Sequence, residues 1–299
     1  MAEVSIARIL LEQLNAIARR LPASRVRRLH LPPRPASDCG DARADEFCAL
    51  ELDDGAFGLA FLLLDDTALQ ALTRHASASR IRSDPLAGVD PLQLAAGLTS
   101  ADPVARTLGL AAANALTRSA WLRLGYEPPP AGNSLGDLEL TANDHLGMIG
   151  AFVPLVRGVR PSGARLTIVE LDARRLPALQ AEFPWACTTL ERNRIAGCNK
   201  VIGTSTMLLN GTLAEMLATC PAATEFAVIG PSAGAWPDPM FERGVTRLAG
   251  TLIVDGGAFT EAMARGAPWR GAARKFAIDR ATWPGWRSLL TGGALRRGE

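Results

Sequence analysis

The chain has 299 residues, of which 48% are hydrophobic and 21% charged, so it can bury a sizeable core and is not a disordered chain. Its 32 basic and 30 acidic residues leave a net charge of +2, which argues against a dedicated nucleic-acid-binding protein. No apolar run is long enough to cross a bilayer, and charged residues interrupt the apolar N-terminal segment. We therefore predict neither a membrane protein nor a secretory signal peptide.

The spacing of cysteines and histidines indicates no metal motif. The five cysteines are widely separated and include no CxxC pair, and the three histidines show neither HxxxH nor HExxH spacing. We therefore expect reduced thiols in a cytoplasmic protein and no structural zinc site.

Residues 1–126 predict a small α+β domain. Its predicted elements are an amphipathic helix over 6–17, a strand over 25–31, a hairpin with strands over 46–52 and 56–64, and helices that begin at Asp90-Pro91 and Asp102-Pro103. In the last two helices an N-cap carboxylate precedes a proline, which is typical of a helix start. Gly125 is the predicted end of the second of them.

A proline- and glycine-rich segment over 127–136 predicts a linker to a second domain. After the linker, short apolar runs alternate with helical segments, and the runs cover 145–150, 166–171, 200–204, 226–230 and 250–255. Continuous apolar runs are typical of parallel strands that are buried on both faces. We therefore predict a Rossmann-like, doubly wound parallel sheet over 137–265, followed by a C-terminal extension over 266–299.

Glycine, hydroxyl and acidic residues follow four of these runs, at the edge of the sheet where such folds bind ligands. The candidate ligand-binding residues are Gly150, Phe152, Glu170, Thr204, Ser205, Asn210, Gly230, Pro231 and Ser232. Glu170 stands twenty residues after Gly150, the spacing at which nucleotide-binding folds hold ribose hydroxyls, although the GxGxxG fingerprint is absent. A solvated carboxylate at Glu170 and helix capping by Asn210 are the alternatives.

Three segments resemble a known family. The stretches TSTMLLNGTLAEML (204–217) and VIGPSAGAWPDPMFERGVTRLAGTLIVDG (228–256) are similar to the C-terminal domain of the family described as "Putative heavy-metal chelation", formerly a domain of unknown function. The stretch LAAGLTSADPVARTLGLAAANAL (94–116) resembles the helical end of its N-terminal domain. The resemblance covers most of residues 1–265. It implies a Rossmann-like domain joined to a domain like the N-terminal part of enolase.

The resemblance also implies a ligand site in the cleft between the two domains, with a heavy metal as the ligand. Ala151 stands where the family often has a histidine, which removes the most obvious metal ligand. From the residues themselves we predict a pocket of about 300 Å³ or more at the candidate residues. The alanine-rich helix that carries Asn114 is its predicted second wall. We expect no nucleic-acid or membrane partner. Whether the chain forms a homo-oligomer is left open.

Three functions from different classes stay open at this point. The first is the binding of a transition metal or a metal chelate. The second is an enzyme that uses a nucleotide-like ligand such as S-adenosylmethionine, with Glu170 on the ribose. The third is a non-catalytic interaction protein. No serine lies in a GxSxG motif and no histidine follows a strand of the second domain, so the sequence assigns no catalytic residue.

Overall fold

The computed structural model describes residues 5–33, 47–76 and 84–295. Its strands are β1 (Val26–His30), β2 (Phe47–Leu52), β3 (Phe57–Phe61), β4 (His145–Ile149), β5 (Arg165–Val169), β6 (Cys187–Thr189), β7 (Lys200–Thr204), β8 (Glu225–Ile229), β9 (Arg247–Ile253) and β10 (Ala273–Asp279). Its helices are α1 (Ile6–Ala18), α2 (Asp66–Thr73), α3 (Pro91–Ala95), α4 (Pro103–Leu124), α5 (Val153–Val159), α6 (Leu176–Glu182), α7 (Met207–Asn210), α8 (Leu213–Thr219), α9 (Asp238–Phe241), α10 (Gly256–Ala264) and α11 (Trp286–Leu295).

The first three strands form a small antiparallel sheet in the order β1-β2-β3. The predicted strand and hairpin are therefore confirmed, although β3 ends at Phe61 instead of residue 64 and residue 46 lies outside the described residues. Both aspartate N-caps are also confirmed, since Asp90 accepts a hydrogen bond from the Leu92 amide and Asp102 accepts one from the Val104 amide. Gly125 ends α4 in the left-handed conformation, with φ of 66°.

Helix α4 packs closely against the small sheet because small residues face each other. A Cβ atom at Gly58 of β3 would lie 2.0 Å from the backbone oxygen of Ala111 and 2.3 Å from the amide nitrogen of Ala115. Only glycine permits this approach. This close contact holds the small sheet on one side of α4.

Seven strands form the large sheet, in the order β10-β9-β8-β7-β4-β5-β6. All neighbouring pairs are parallel except β9 and β10, which are antiparallel. The strand order reverses at β4, which lies between β5 and β7. Counted from β4, this is the order of doubly wound nucleotide-binding sheets, with an antiparallel strand added at one edge.

Two strands of the large sheet were not predicted. The three-residue strand β6 is short and carries no apolar run. Strand β10 lies within the predicted C-terminal extension and pairs with β9 over seven residues. The predicted linker also lies on β10: the Ala277 amide donates to the Pro129 oxygen at 3.0 Å, and the Ala131 amide donates to the Lys275 oxygen at 3.2 Å.

One hydrophobic core extends from the small sheet through α4 to one face of the large sheet, where it includes Val201, Val228 and Leu248. A second core covers the opposite face and includes Leu155 of α5 and Leu179 of α6. The large sheet is therefore covered on both faces, as its apolar strands predict. Among the helices of the described residues, none combines the length and the apolar composition needed to cross a membrane.

Candidate functional site

The predicted site residues meet at the carboxyl ends of the parallel strands, where the loops after β4, β5, β7 and β8 touch one another. Gly150 has a φ of +79°, and a Cβ atom there would lie 3.0 Å from Thr204 Oγ1. A Cβ atom at Gly230 would lie 2.3 Å from Ser205 Oγ. Both glycines therefore allow neighbouring loops to approach at this edge.

Glu170 follows β5 and is buried, with 5% of its surface exposed. Its Oε1 accepts hydrogen bonds from the Leu171 amide at 2.8 Å and the Asp172 amide at 3.4 Å. Its Oε2 accepts one from the Ala151 amide at 3.3 Å, which ties this carboxylate to the loop after β4. The alternative of a solvated strand-end carboxylate is therefore wrong.

Arg175 completes the hydrogen bonding of Glu170. Its Nη1 donates to Glu170 Oε2 at 2.7 Å, and its Nη2 donates to the Ala151 oxygen at 3.0 Å. One guanidinium group therefore connects the loops after β4 and β5, while 48% of its side chain stays exposed. Glu170 therefore accepts four hydrogen bonds, which occupy the lone pairs of its carboxylate. A ribose hydroxyl can donate to Glu170 only after one of these four donors moves away.

The neighbouring Arg174 makes no such connection. It pairs with Asp172 through hydrogen bonds of 2.7 to 3.1 Å, and its side chain is 89% exposed. Hydrogen bonds from the Arg174 side chain and amide hold the pKa of Asp172 at about 2, so that carboxyl group stays ionised. Arg174 and Arg175 thus differ in burial and in what they bind, although they are adjacent in the sequence.

The hydroxyl residues at the end of β7 and directly after it form a second part of the edge. Thr204 Oγ1 and Thr206 Oγ1 lie 2.6 Å apart and share a hydrogen bond, and both residues are half-buried. Ser205 is buried, with 4% exposed. Asn210 is exposed, and its Oδ1 accepts from the Thr212 amide at 3.1 Å and from Thr212 Oγ1 at 2.7 Å. It forms a local turn between α7 and α8. The alternative of helix capping is wrong, because Thr212 is the N-cap of α8 and no side chain caps that helix.

Ser232 lies at the contact between the large sheet and the small sheet. It is fully buried, and its Oγ accepts a hydrogen bond from the Phe61 amide at 2.8 Å. Asn114 Nδ2 of α4 donates to the Leu59 oxygen at 2.7 Å and to the Ser232 oxygen at 2.9 Å. These bonds join β3, α4 and the loop after β8 into a packed contact.

This geometry corrects the predicted pocket at Ser232. The side chain lines no open cleft, because the small sheet and α4 cover it completely. Two cavities of the described residues lie elsewhere: one of about 10 Å³ beside α1 and α4, and one of about 380 Å³ beside α1 and α11. None of the predicted site residues lines either of them.

We therefore distinguish two halves of the carboxyl edge. The closed half is the loop after β8, residues 230–234, which the small sheet and α4 cover. The open half consists of residues 150–152, 170–175 and 204–206, where Arg175 is the half-exposed group over a buried carboxylate. Exposed apolar side chains also lie at this edge: Leu171 after β5 is 52% exposed, Leu190 after β6 45% and Val254 after β9 55%.

The described residues do not fit a bare heavy-metal ion. Within residues 5–33, 47–76 and 84–295, no group of three or more His, Cys, Asp or Glu side chains is placed to hold a metal. Burial raises the pKa of Cys48 to about 12 and those of Cys198 and Cys220 to about 11. These thiols therefore stay protonated at neutral pH, whereas a thiolate is the form that binds metal. Cys187 is free and exposed, and Cys39 lies outside the described residues.

Fold and site together define an α/β protein whose candidate ligand edge lies where the strand order of a large parallel sheet reverses. Comparison with family models identifies the family. Residues 134–282 match the DUF364 model and residues 45–117 match the DUF4213 model, and both models are described as "Putative heavy-metal chelation". The chain belongs to this family, so the resemblance is confirmed. The DUF364 match continues past residue 265, through β10 to residue 282.

Two solved structures of DUF364-family proteins, both described as having unknown function, have a similar fold. The protein from Pyrococcus horikoshii is 16% identical, with a TM-score of 0.61 over 92% of this chain and 99% of that chain. The protein from Desulfitobacterium hafniense DCB-2 is 19% identical, with a TM-score of 0.62 over 91% of this chain and 98% of that chain. At these identities the likeness shows the fold alone. Comparison with curated proteins gives no match.

Proposed function

We propose that this chain binds a small organic ligand at the open half of the carboxyl edge, and that it takes a heavy metal as an anionic chelate. The observation that carries the proposal is Arg175, a half-exposed cation that lies over Glu170 and the Ala151 oxygen. A guanidinium group binds carboxylates through two parallel hydrogen bonds. The carboxylates of a metal chelate are therefore suitable partners for it.

The surroundings of Arg175 support an organic ligand over a bare ion. The hydroxyl groups of Thr204 and Thr206 are neutral donors and acceptors, and Leu171 offers exposed apolar surface. Ligand sites commonly combine apolar walls with a few polar groups that set orientation. A bare ion instead requires several converging anionic or imidazole ligands. The family description agrees with a metal as cargo, and a chelate supplies the metal ligands that the described side chains lack.

The proposal is tested by titrating the full chain with nickel–citrate, with nickel ion alone and with citrate alone in a calorimeter. We expect saturable binding of nickel–citrate and weaker binding of each component. Arg175→Ala should weaken binding of the chelate by about tenfold or more, the effect of losing a hydrogen bond to a charged group. The matched control is Arg174→Ala, which removes an adjacent arginine that does not contact Glu170. Equal binding of nickel ion alone, or equal affinity in Arg175→Ala, would contradict the proposal.

A nucleotide-like ligand such as S-adenosylmethionine is the second candidate, because the strand order and the Gly150–Glu170 pair correspond to nucleotide-binding sheets. For that ligand Glu170 must accept the ribose hydroxyls, so Arg175 must release it. Arg175→Ala should then leave the affinity for S-adenosylmethionine unchanged or raise it, whereas Glu170→Gln should lower it. The Arg175 variant thus loses ligand affinity under the first candidate and keeps or gains it under the second. Absence of binding by either probe would favour a non-catalytic interaction protein.

A further inference from the structure

A second candidate site lies outside the carboxyl edge, between the C-terminal end of α1 and the helix α11. It is the cavity of about 380 Å³ lined by Ala16, Arg19, Arg20, Trp286, Arg287 and Thr291, which we call the arginine pocket. Its volume falls in the range of small-molecule sites, about 300 to 1,000 Å³. The indole of Trp286 supplies an apolar wall, and Thr291 supplies a hydroxyl group.

Within the part of the chain that the structure describes, no acidic side chain neutralises the charge of the arginine pocket. Its lining includes three arginines and no acidic residue. Within the described residues, the side chains of Arg19, Arg20 and Arg287 form no ion pair, whereas Arg8 of the same helix α1 pairs with Glu12 at 3.2 Å. Clustered guanidinium groups repel one another, so an anion that enters the pocket relieves this repulsion.

The two walls of the pocket are held together by one carboxylate. Asp238 Oδ2 accepts from Gln13 Nε2 of α1 at 3.0 Å. Its Oδ1 accepts from Trp283 Nε1 at 3.0 Å and from the Trp286 amide at 3.1 Å, at the beginning of α11. The carboxylate thus fixes α11 against α1. A ligand in the pocket therefore has no need to order the walls, which lowers the entropic cost of binding.

One of the three arginines is also fixed in orientation. The guanidinium carbon of Arg287 lies 4.5 Å from the centroid of the Trp286 ring. Stacking of this kind is a cation–π contact, and it restrains a side chain that otherwise has many rotamers. The planar donor group of Arg287 is therefore available beside Arg19 and Arg20 without further ordering.

We propose that the arginine pocket binds a small polyanion with linked phosphate groups, such as pyrophosphate or the triphosphate of a nucleotide. Guanidinium groups bind phosphate oxygens through paired hydrogen bonds, and three of them suit a ligand with several adjacent negative charges. This function goes beyond the proposed chelate binding and uses different residues. Both walls also lie outside the matched family segments, 45–117 and 134–282.

The test is calorimetric titration of the full chain with inorganic phosphate, pyrophosphate, tripolyphosphate and ATP. We expect one binding site per chain and an affinity that rises from phosphate to tripolyphosphate and falls with added salt. The double variant Arg20→Ala with Arg287→Ala should weaken tripolyphosphate binding by about tenfold or more. Tighter binding of ATP than of tripolyphosphate would identify a nucleotide as the source of the phosphate chain, and equal binding would identify free polyphosphate.

The matched control is Arg280→Ala, which removes an exposed arginine outside the pocket lining. Absence of saturable tripolyphosphate binding would overturn the proposal, and so would equal weakening in the control variant. The Arg175→Ala variant should bind tripolyphosphate like the unaltered chain. The experiment therefore distinguishes a failure of chelate binding at the carboxyl edge from a failure of polyanion binding in the arginine pocket. The altered arginines are exposed, and circular dichroism would verify that each variant keeps its fold.

Discussion

The two halves of the carboxyl edge are made of similar strand-end loops, yet they are closed in different ways. In the closed half, Ser232 is fully buried beneath β3 and α4, which are distant in the sequence. In the open half, Glu170 is nearly as well buried, but the cation over it is Arg175, only five residues further along the chain. Packed elements cover the closed half, whereas in the open half a single long side chain lies over the buried carboxylate.

This difference determines where a ligand can enter. Opening the closed half requires separation of β3 and α4 from the large sheet, which would break a continuous hydrophobic core. In the open half, exposing Glu170 requires rotation of one half-exposed arginine, a motion that exposed side chains make within nanoseconds. Substitutions in the closed half should therefore change stability, and those in the open half should change binding.

The largest loss of stability is expected where β3 contacts α4, the two elements that cover the closed half. Gly58→Ala places a methyl group 2.0 Å from the Ala111 oxygen, a backbone atom that cannot move without displacing α4. We expect the free energy of unfolding to fall by about 3 kcal/mol or more, measured by chemical denaturation. The control is Gly197→Ala, where the added Cβ has no neighbour within 4 Å. Equal loss in both variants would show that the small sheet is not held by this contact.

A smaller loss is expected from the hydrogen bond that crosses the closed half. Ser232→Ala leaves the Phe61 amide without the acceptor that lies 2.8 Å away, at a position closed to water. An unsatisfied buried donor costs about 1 to 3 kcal/mol, and we expect the unfolding free energy to fall by that amount. The exposed Ser288→Ala serves as its control. A Ser232→Ala protein as stable as the unaltered chain would argue against a sealed closed half.

Much of this fold can be predicted from the sequence because its signals are local. The aspartate–proline pairs before α3 and α4 are complete helix starts, and the apolar runs of β4, β5, β7, β8 and β9 require burial on both faces. Strand β6 has only three residues, and β10 is an antiparallel edge strand that mixes charged with apolar residues. Neither strand has a local sequence pattern that distinguishes it from a loop.

For the site, the sequence predicts which residues lie at the ends of strands, but not how their side chains are buried or paired. The sequence places Glu170 at the carboxyl edge, but its burial depends on amides of two loops and on Arg175. No pattern distinguishes Arg175 from Arg174 beside it, although one binds Glu170 and the other binds Asp172. Ser232 was predicted at the right edge, but its burial depends on a contact with β3 across 171 residues of sequence.

The smallest loss of stability is expected in the open half. A substitution there tests directly whether the two halves of the edge differ. Arg175→Ala removes an ion pair of 2.7 Å, but the side chain is half-exposed and Glu170 keeps three amide donors. Because solvent already reaches half of the Arg175 side chain, water can replace its guanidinium group beside Glu170, and denaturation should show a smaller loss than for Ser232→Ala. The same variant should weaken ligand binding by about tenfold. It should therefore change binding strongly and stability little. A loss of stability as large as that of Ser232→Ala would mean that Arg175 is a structural clamp, and that both halves of the edge are closed.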